Sequence, residues 1–179
     1  MLPENIRARA VTVISVLWTS YLLLYLFKVF FYIGFVLYPT IHKSITIGIL
    51  CVLAFLMYPV KKGWAAGAWY DLIAIVMVVL SCGYIAVNAE QLIEHWGDAS
   101  VIEMVFGLSF LACLIELVRR AIKSLVLPAI VIFFFFYTVY SNHFPGFMHS
   151  AGFSYPRTIA WIYLSAEGFW GMATIRLPP

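Results

Sequence analysis

The sequence predicts an all-α integral membrane protein with about five transmembrane helices and a C-terminal interfacial amphipathic helix. Three observations carry that expectation. Of 179 residues, 64% are hydrophobic and 11% charged, with a mean hydropathy of +0.98; a water-soluble domain carries roughly 25% charged residues. The apolar residues gather in long unbroken runs, and about 20 helical residues cross a hydrocarbon core. The cations fall in alternate connections between those runs, as the positive-inside rule requires. Helix is the expected conformation, because backbone groups in lipid must bond within their own segment. A barrel strand would alternate in polarity, and these runs do not.

The first span is expected over residues 10–31, after Arg7 and Arg9. This run is too long for the apolar core of a cleaved signal and has no small-residue cleavage site, so it reads as an uncleaved span. Lys28 lies near its end and is expected to snorkel toward the headgroups, with residues 32–39 as an outer interfacial segment. The second span is expected over 45–60, the third over 69–87, the fourth over 101–118 and the fifth over 125–140. Together they form a membrane scaffold domain over residues 1–141.

Arg7 and Arg9, then Lys61 and Lys62, then Arg119, Arg120 and Lys123 share one side of such a chain. The other side holds His42 and Lys43, the acidic residues Glu90, Glu94 and Asp98, and then His143 and His149. This alternation puts the N-terminus in the cytoplasm and the residues after Tyr140 outside. Trp64, Trp69 and Tyr70 then flank an inner boundary and Trp96 an outer one. Residues 142–155 hold Pro145, Gly146 and Gly152 and read as an ordered loop. Residues 156–169 place Ile159, Ile162, Tyr163 and Ala166 at helical spacing, in a stretch too short and polar to span. An amphipathic helix lying in the interface is expected there.

Few residues carry candidate chemistry. Glu116 and Arg120 are four apart, so they share a helix face and can pair, with Arg119 beside them. The cluster reads as an interfacial anchor or as a contact with another subunit. Asp71 opens the third span, where a carboxylate is favoured by the helix dipole. Glu167, Gly168 and Gly171 end the amphipathic segment, where glycine permits close backbone packing. A helix terminus at an irregular membrane segment is also how transporters approach substrate. His143 and His149 lack the spacing of a helical metal pair, and His42 and His95 are expected in loops. Cys51, Cys82 and Cys113 are far apart, each inside an apolar run, and read as small buried hydrophobes. No phosphate-binding loop, nucleophile elbow or zinc signature is present, so neither an enzyme nor a cofactor is expected. No basic stripe suggests nucleic acid.

Several stretches resemble one family as a set. They are Trp69-Tyr70-Asp71, the opening of the fourth span from Asp98 to Glu103, and Glu116 followed by Arg119 and Arg120. Beyond these come Pro145-Gly146, residues 152–157 (GFSYPR), residues 162–168 (IYLSAEG) and Gly171. In this order they resemble the N-terminal, Q-like region of the fused permease of tripartite ATP-independent periplasmic (TRAP) transporters, TAXI branch. The resemblance covers residues 43–171. It implies a bacterial inner-membrane permease that imports small organic acids on an ion gradient. A periplasmic substrate-binding protein delivers the substrate, the Q-like part is a static scaffold in the bilayer, and an M-like large part holds the transport site. The family pattern continues into many more helices, whereas this sequence reaches Pro179. The expectation is that another chain supplies the M-like part or that the reading frame is truncated. No substrate ligand carries over to this chain.

Two other readings stand beside it. A haem or redox membrane anchor needs histidines on facing spans at similar depth. A membrane structural protein without a transport role needs only the spans.

Overall fold

The computed structural model describes residues 4–34, 39–60, 68–89, 99–165 and 168. Among these the regular structure is entirely helical. Five helices are long and apolar enough to cross a membrane: Ala8–Leu26, Pro39–Met57, Trp69–Val87, Val101–Ile122 and Val126–His143. The protein is therefore a multi-pass all-α membrane protein. Its chain divides into two compact units, Met1–Val87 and Asn88–Pro179.

In the first unit, α1 (Glu4–Leu26) ends five residues earlier than the expected limit at 31. Lys28 sets the stop by taking left-handed backbone angles, φ 53° and ψ 27°, before the short α2 (Val29–Tyr32). A left-handed residue ends an α-helix, and the Lys28 side chain there is exposed. α3 (Pro39–Met57) starts six residues before the expected second span, so that span is not short. Proline is preorganised for a first helical position, where its missing N–H is not needed. The helix closes before Tyr58-Pro59, since a residue preceding proline disfavours the helical region. α4 (Ala68–Val87) falls as expected.

α3 and α4 pack through small residues. Ser44, Gly48, Cys51 and Phe55 are the buried positions of α3. A β-carbon on Gly48 would lie 3.2 Å from the β-carbon of Cys82. The Ser44 hydroxyl donates to the Cys82 carbonyl at 2.6 Å. Asp71, Val78, Cys82 and Ile85 form the buried face of α4, at helical spacing. Lipid offers no hydrophobic drive between spans, so close van der Waals approach and interhelical hydrogen bonds must hold them. The outward faces stay apolar and exposed, as at Leu72, Ile73, Val76 and Val79.

In the second unit, α5 (Val101–Ile122) opens with a capping box. The Glu103 backbone N–H donates to the Ser100 hydroxyl, and the Ser100 N–H donates to the Glu103 carboxylate. This satisfies two otherwise orphaned donors. α5 runs four residues past the expected limit at 118 and stops at Lys123, again left-handed with φ 54°. α6 (Val126–Tyr140) follows after a three-residue connection, Lys123 to Leu125, and carries Pro128 in its first turn. Its helical rise continues through a 3-10 turn at Ser141–His143.

The segment after α6 is ordered, as expected of residues 142–155. Tyr137 donates its hydroxyl to the Met148 carbonyl, and the Phe153 N–H bonds the Thr138 carbonyl. α7 (Tyr155–Ile159) then passes into a π turn over Ala160–Leu164. The helix expected over 156–169 thus has its described helical turns from 155 to 164. Thr158, Ile159, Ala160 and Tyr163 are buried, while Arg157 and Trp161 are exposed, so the segment is two-faced. Its buried face meets α5 at Gly107, where a β-carbon would lie 2.7 Å from Ile159 Cγ2 and 3.2 Å from Tyr163 Cβ. Phe110 and Tyr163, both fully buried, complete that contact with ring centroids 6.2 Å apart.

Two expectations follow. Gly107→Leu forces an isobutyl group into the Ile159–Tyr163 contact and should cost about 1–3 kcal/mol. Thermal unfolding in detergent should show a lower Tm than for Ile102→Ala, which changes an exposed side chain. In a cysteine-free background, Ser124→Cys and Ser150→Cys flank α6 and should label with an impermeant maleimide from opposite sides of the membrane.

Candidate functional site

The charged cluster predicted at the end of the fourth span is present on the last turns of α5. Glu116 faces both arginines because residues three and four apart share one side of a helix. Arg119 grips the carboxylate with two donors, Nε to Oε2 at 2.7 Å and Nη2 to Oε1 at 2.6 Å. Arg120 Nε donates to the same Oε1 at 2.8 Å. The two arginines differ in setting. The Arg120 side chain is 8% exposed and the Arg119 side chain 46%. The cluster also suits its place in the helix, since cations in the last turn offset the partial negative charge of the C-terminus.

Asp71 lies in the first turn of α4, as expected, but is buried to 1% exposure on the face that meets α3. A carboxylate so placed needs its negative charge matched by donors or dipoles, and the positive end of α4 supplies part of that. The sequence did not mark this burial, because Asp71 sits next to exposed Trp69 and Tyr70.

Gly168 closes the turn after the π segment. Its N–H bonds the Ser165 carbonyl at 3.2 Å and lies 3.0 Å from the Ser165 hydroxyl. A side chain at 168 would overlap the carbonyl oxygens of Trp161 and Ile162, so the close backbone packing expected of this glycine is observed. Glu167 and Gly171 lie outside the described residues, as do Lys61, Lys62, Trp64, Glu90, Glu94, His95, Trp96 and Asp98.

His42 is a correction. The sequence places it in a loop, whereas it occupies the first turn of α3. The cause is Pro39, which starts that helix early. His42 stacks on Tyr25 with ring centroids 3.5 Å apart and planes 3° from parallel. Its Nδ1 shares a 3.0 Å hydrogen bond with the Tyr21 hydroxyl. Tyr21 in turn stacks on the buried Trp18 at 5.0 Å. These rings join α1 to α3. The only sequence signal for them is the i, i+4 spacing of Tyr21 and Tyr25, which puts both on one helix face.

The remaining candidates stay apart. His143 Nδ1 donates to the Asn142 side-chain carbonyl at 2.5 Å. The Tyr155 hydroxyl donates to that of Tyr140, and this bond raises the Tyr155 phenol above its ordinary pKa. Among the described residues no group of three His, Cys, Asp or Glu side chains could hold a metal ion. A crevice of about 10 Å³ lined by Gly107, Leu111, Phe135, Ile162 and Tyr163 has space for roughly one water.

Arg120→Ala should cost about 1–2 kcal/mol, because it removes a charge-assisted bond from a nearly buried side chain. Arg119→Ala should lower the Tm less, since a solvent-exposed pair contributes little. Equal shifts for the two in a thermal melt would remove this distinction.

No protein-family model, curated protein or solved structure matches the chain.

Proposed function

We propose that the chain is the scaffold portion of a secondary-active TRAP-type permease for small organic acids, working with an M-like partner that carries the transport site. The observation that carries this reading is the order of motifs on the helices. Trp69-Tyr70-Asp71 opens α4, the Glu116–Arg119–Arg120 cluster closes α5, and residues 152–168 follow α6. That order is the one by which the sequence resembles the Q-like region of such permeases.

The geometry suits a static part. The described contacts between helices are close small-residue contacts and stacked rings, with a hydrogen bond from Ser44 to the Cys82 carbonyl. The crevice beside Gly107 is too small for an organic acid. In this reading the substrate site belongs to the M-like partner, and a periplasmic substrate-binding protein delivers to the assembly. The cationic end of α5 faces the cytoplasm of a bacterial inner membrane, with the N-terminus on the same side.

The test is recovery of the tagged chain from detergent-solubilised native membranes, with partners identified by mass spectrometry. The expected partner is a large polytopic permease chain. In that assembly, Glu116→Ala and Arg120→Ala should each lower the yield of complex or the rate of organic-acid uptake. Recovery of the chain alone in a stable fold, or unchanged assembly and uptake in both variants, would overturn the reading.

A further inference from the structure

The junction between α5 and α6 combines two kinds of surface. Within residues 116–123 it exposes two cations, Arg119 and Lys123, while Arg120 is nearly buried and bonded to Glu116. Glu116 takes two of the five N–H donors of Arg119, which fixes that guanidinium and leaves three donors for another acceptor. Lys123 is exposed, and its ammonium has no hydrogen bond or ion pair among the described residues. Its backbone is held in place, with its N–H bonded to the Arg119 carbonyl at 3.0 Å. Between and beside these cations the same turns expose Ile122 at 51%, Leu125 at 70% and Val126 at 64%.

A soluble anion would use the cations and leave the apolar side chains in water. An anionic amphiphile would use both. The junction also lies at the end of two spanning helices, where the headgroup layer meets the hydrocarbon core. We propose that the α5–α6 junction binds an anionic phospholipid, with Arg119 and Lys123 on the headgroup phosphate and Ile122, Leu125 and Val126 against its acyl chain. Arginine suits this role because its planar donors match phosphate oxygens. Glu116 acts as a positioning residue that aims the Arg119 guanidinium. The inference rests on the chain being a membrane protein and stands independently of the transport reading.

Native mass spectrometry of the full chain tests it, with titration by phosphatidylglycerol and phosphatidylcholine of identical acyl chains. Phosphatidylglycerol should bind roughly tenfold or more tightly than phosphatidylcholine. Arg119→Gln and Lys123→Asn should each weaken phosphatidylglycerol binding by roughly fivefold, as expected for one interfacial cation, and weaken phosphatidylcholine, whose choline offsets its phosphate charge, by less. Asparagine tolerates left-handed angles, so Lys123→Asn keeps the helix stop and isolates the charge. Arg119→Lys, which retains the charge, should keep most of the preference. Lys43→Gln in the first unit should leave it intact. An undiminished preference in Lys123→Asn with native helical content would overturn the proposal. So would displacement of phosphatidylglycerol by millimolar inorganic phosphate, which would make the junction a soluble-anion site.

Discussion

Close approach of helix backbones at small residues is the constraint on which the described packing depends. Water drives apolar faces together in a soluble core, but lipid tails solvate those faces as well as another helix does. What holds two spans together is then contact at short range and the few polar bonds it allows. Gly48 and Ser44 provide this against Cys82 in the first unit, and Gly107 provides it against Ile159 and Tyr163 in the second. Each contact admits larger neighbours: Phe55 and Ile85 are fully buried in the first unit, Phe110 and Tyr163 in the second. Bulk at any of these small positions would separate the backbones, and dispersion attraction falls steeply with distance.

Aromatic stacking supplements the small-residue contacts where α1 meets α3. α1 exposes most of its apolar length, as a lipid-facing span does, and Trp18, Tyr21 and Tyr25 concentrate its contacts on one side. Stacked rings add attraction beyond their area. The hydrogen bond between Tyr21 and His42 fixes one register of α1 on α3. Seated in this way, His42 has its Nδ1 engaged and one ring face covered. This arrangement gives His42 a structural role in seating α1 on α3.

Charge is handled at the ends of helices. Lys28 and Lys123 both end a helix in left-handed geometry, and each is an exposed cation. Arg119 and Arg120 share one carboxylate at the last turns of α5, and Asp71 sits in the first turn of α4. The signs match the helix dipole in each case. Arg119 keeps donors that Glu116 does not use, and Lys123 is exposed beside it, and this makes the junction attractive to an outside anion.

The class of the protein and its five spanning helices were legible in the amino-acid order. Hydropathy is additive along a chain, and lipid leaves no alternative to helix in a lone apolar segment. The Glu116–Arg120 pair was legible for a related reason, because i, i+4 neighbours meet on any helix whatever surrounds it. The limits of the helices were less legible. Pro39, Lys28 and Lys123 moved them by several residues through backbone angles that hydropathy does not encode. The burial of Asp71, the stacking of Tyr25 on His42 and the fit of Gly107 against Tyr163 were not legible at all. Each depends on which helix lies opposite, and every face of a spanning helix is apolar enough to meet either lipid or protein. Binary patterning, which reveals the buried side of a soluble helix, is therefore lost in the membrane, and only the folded packing distinguishes the two.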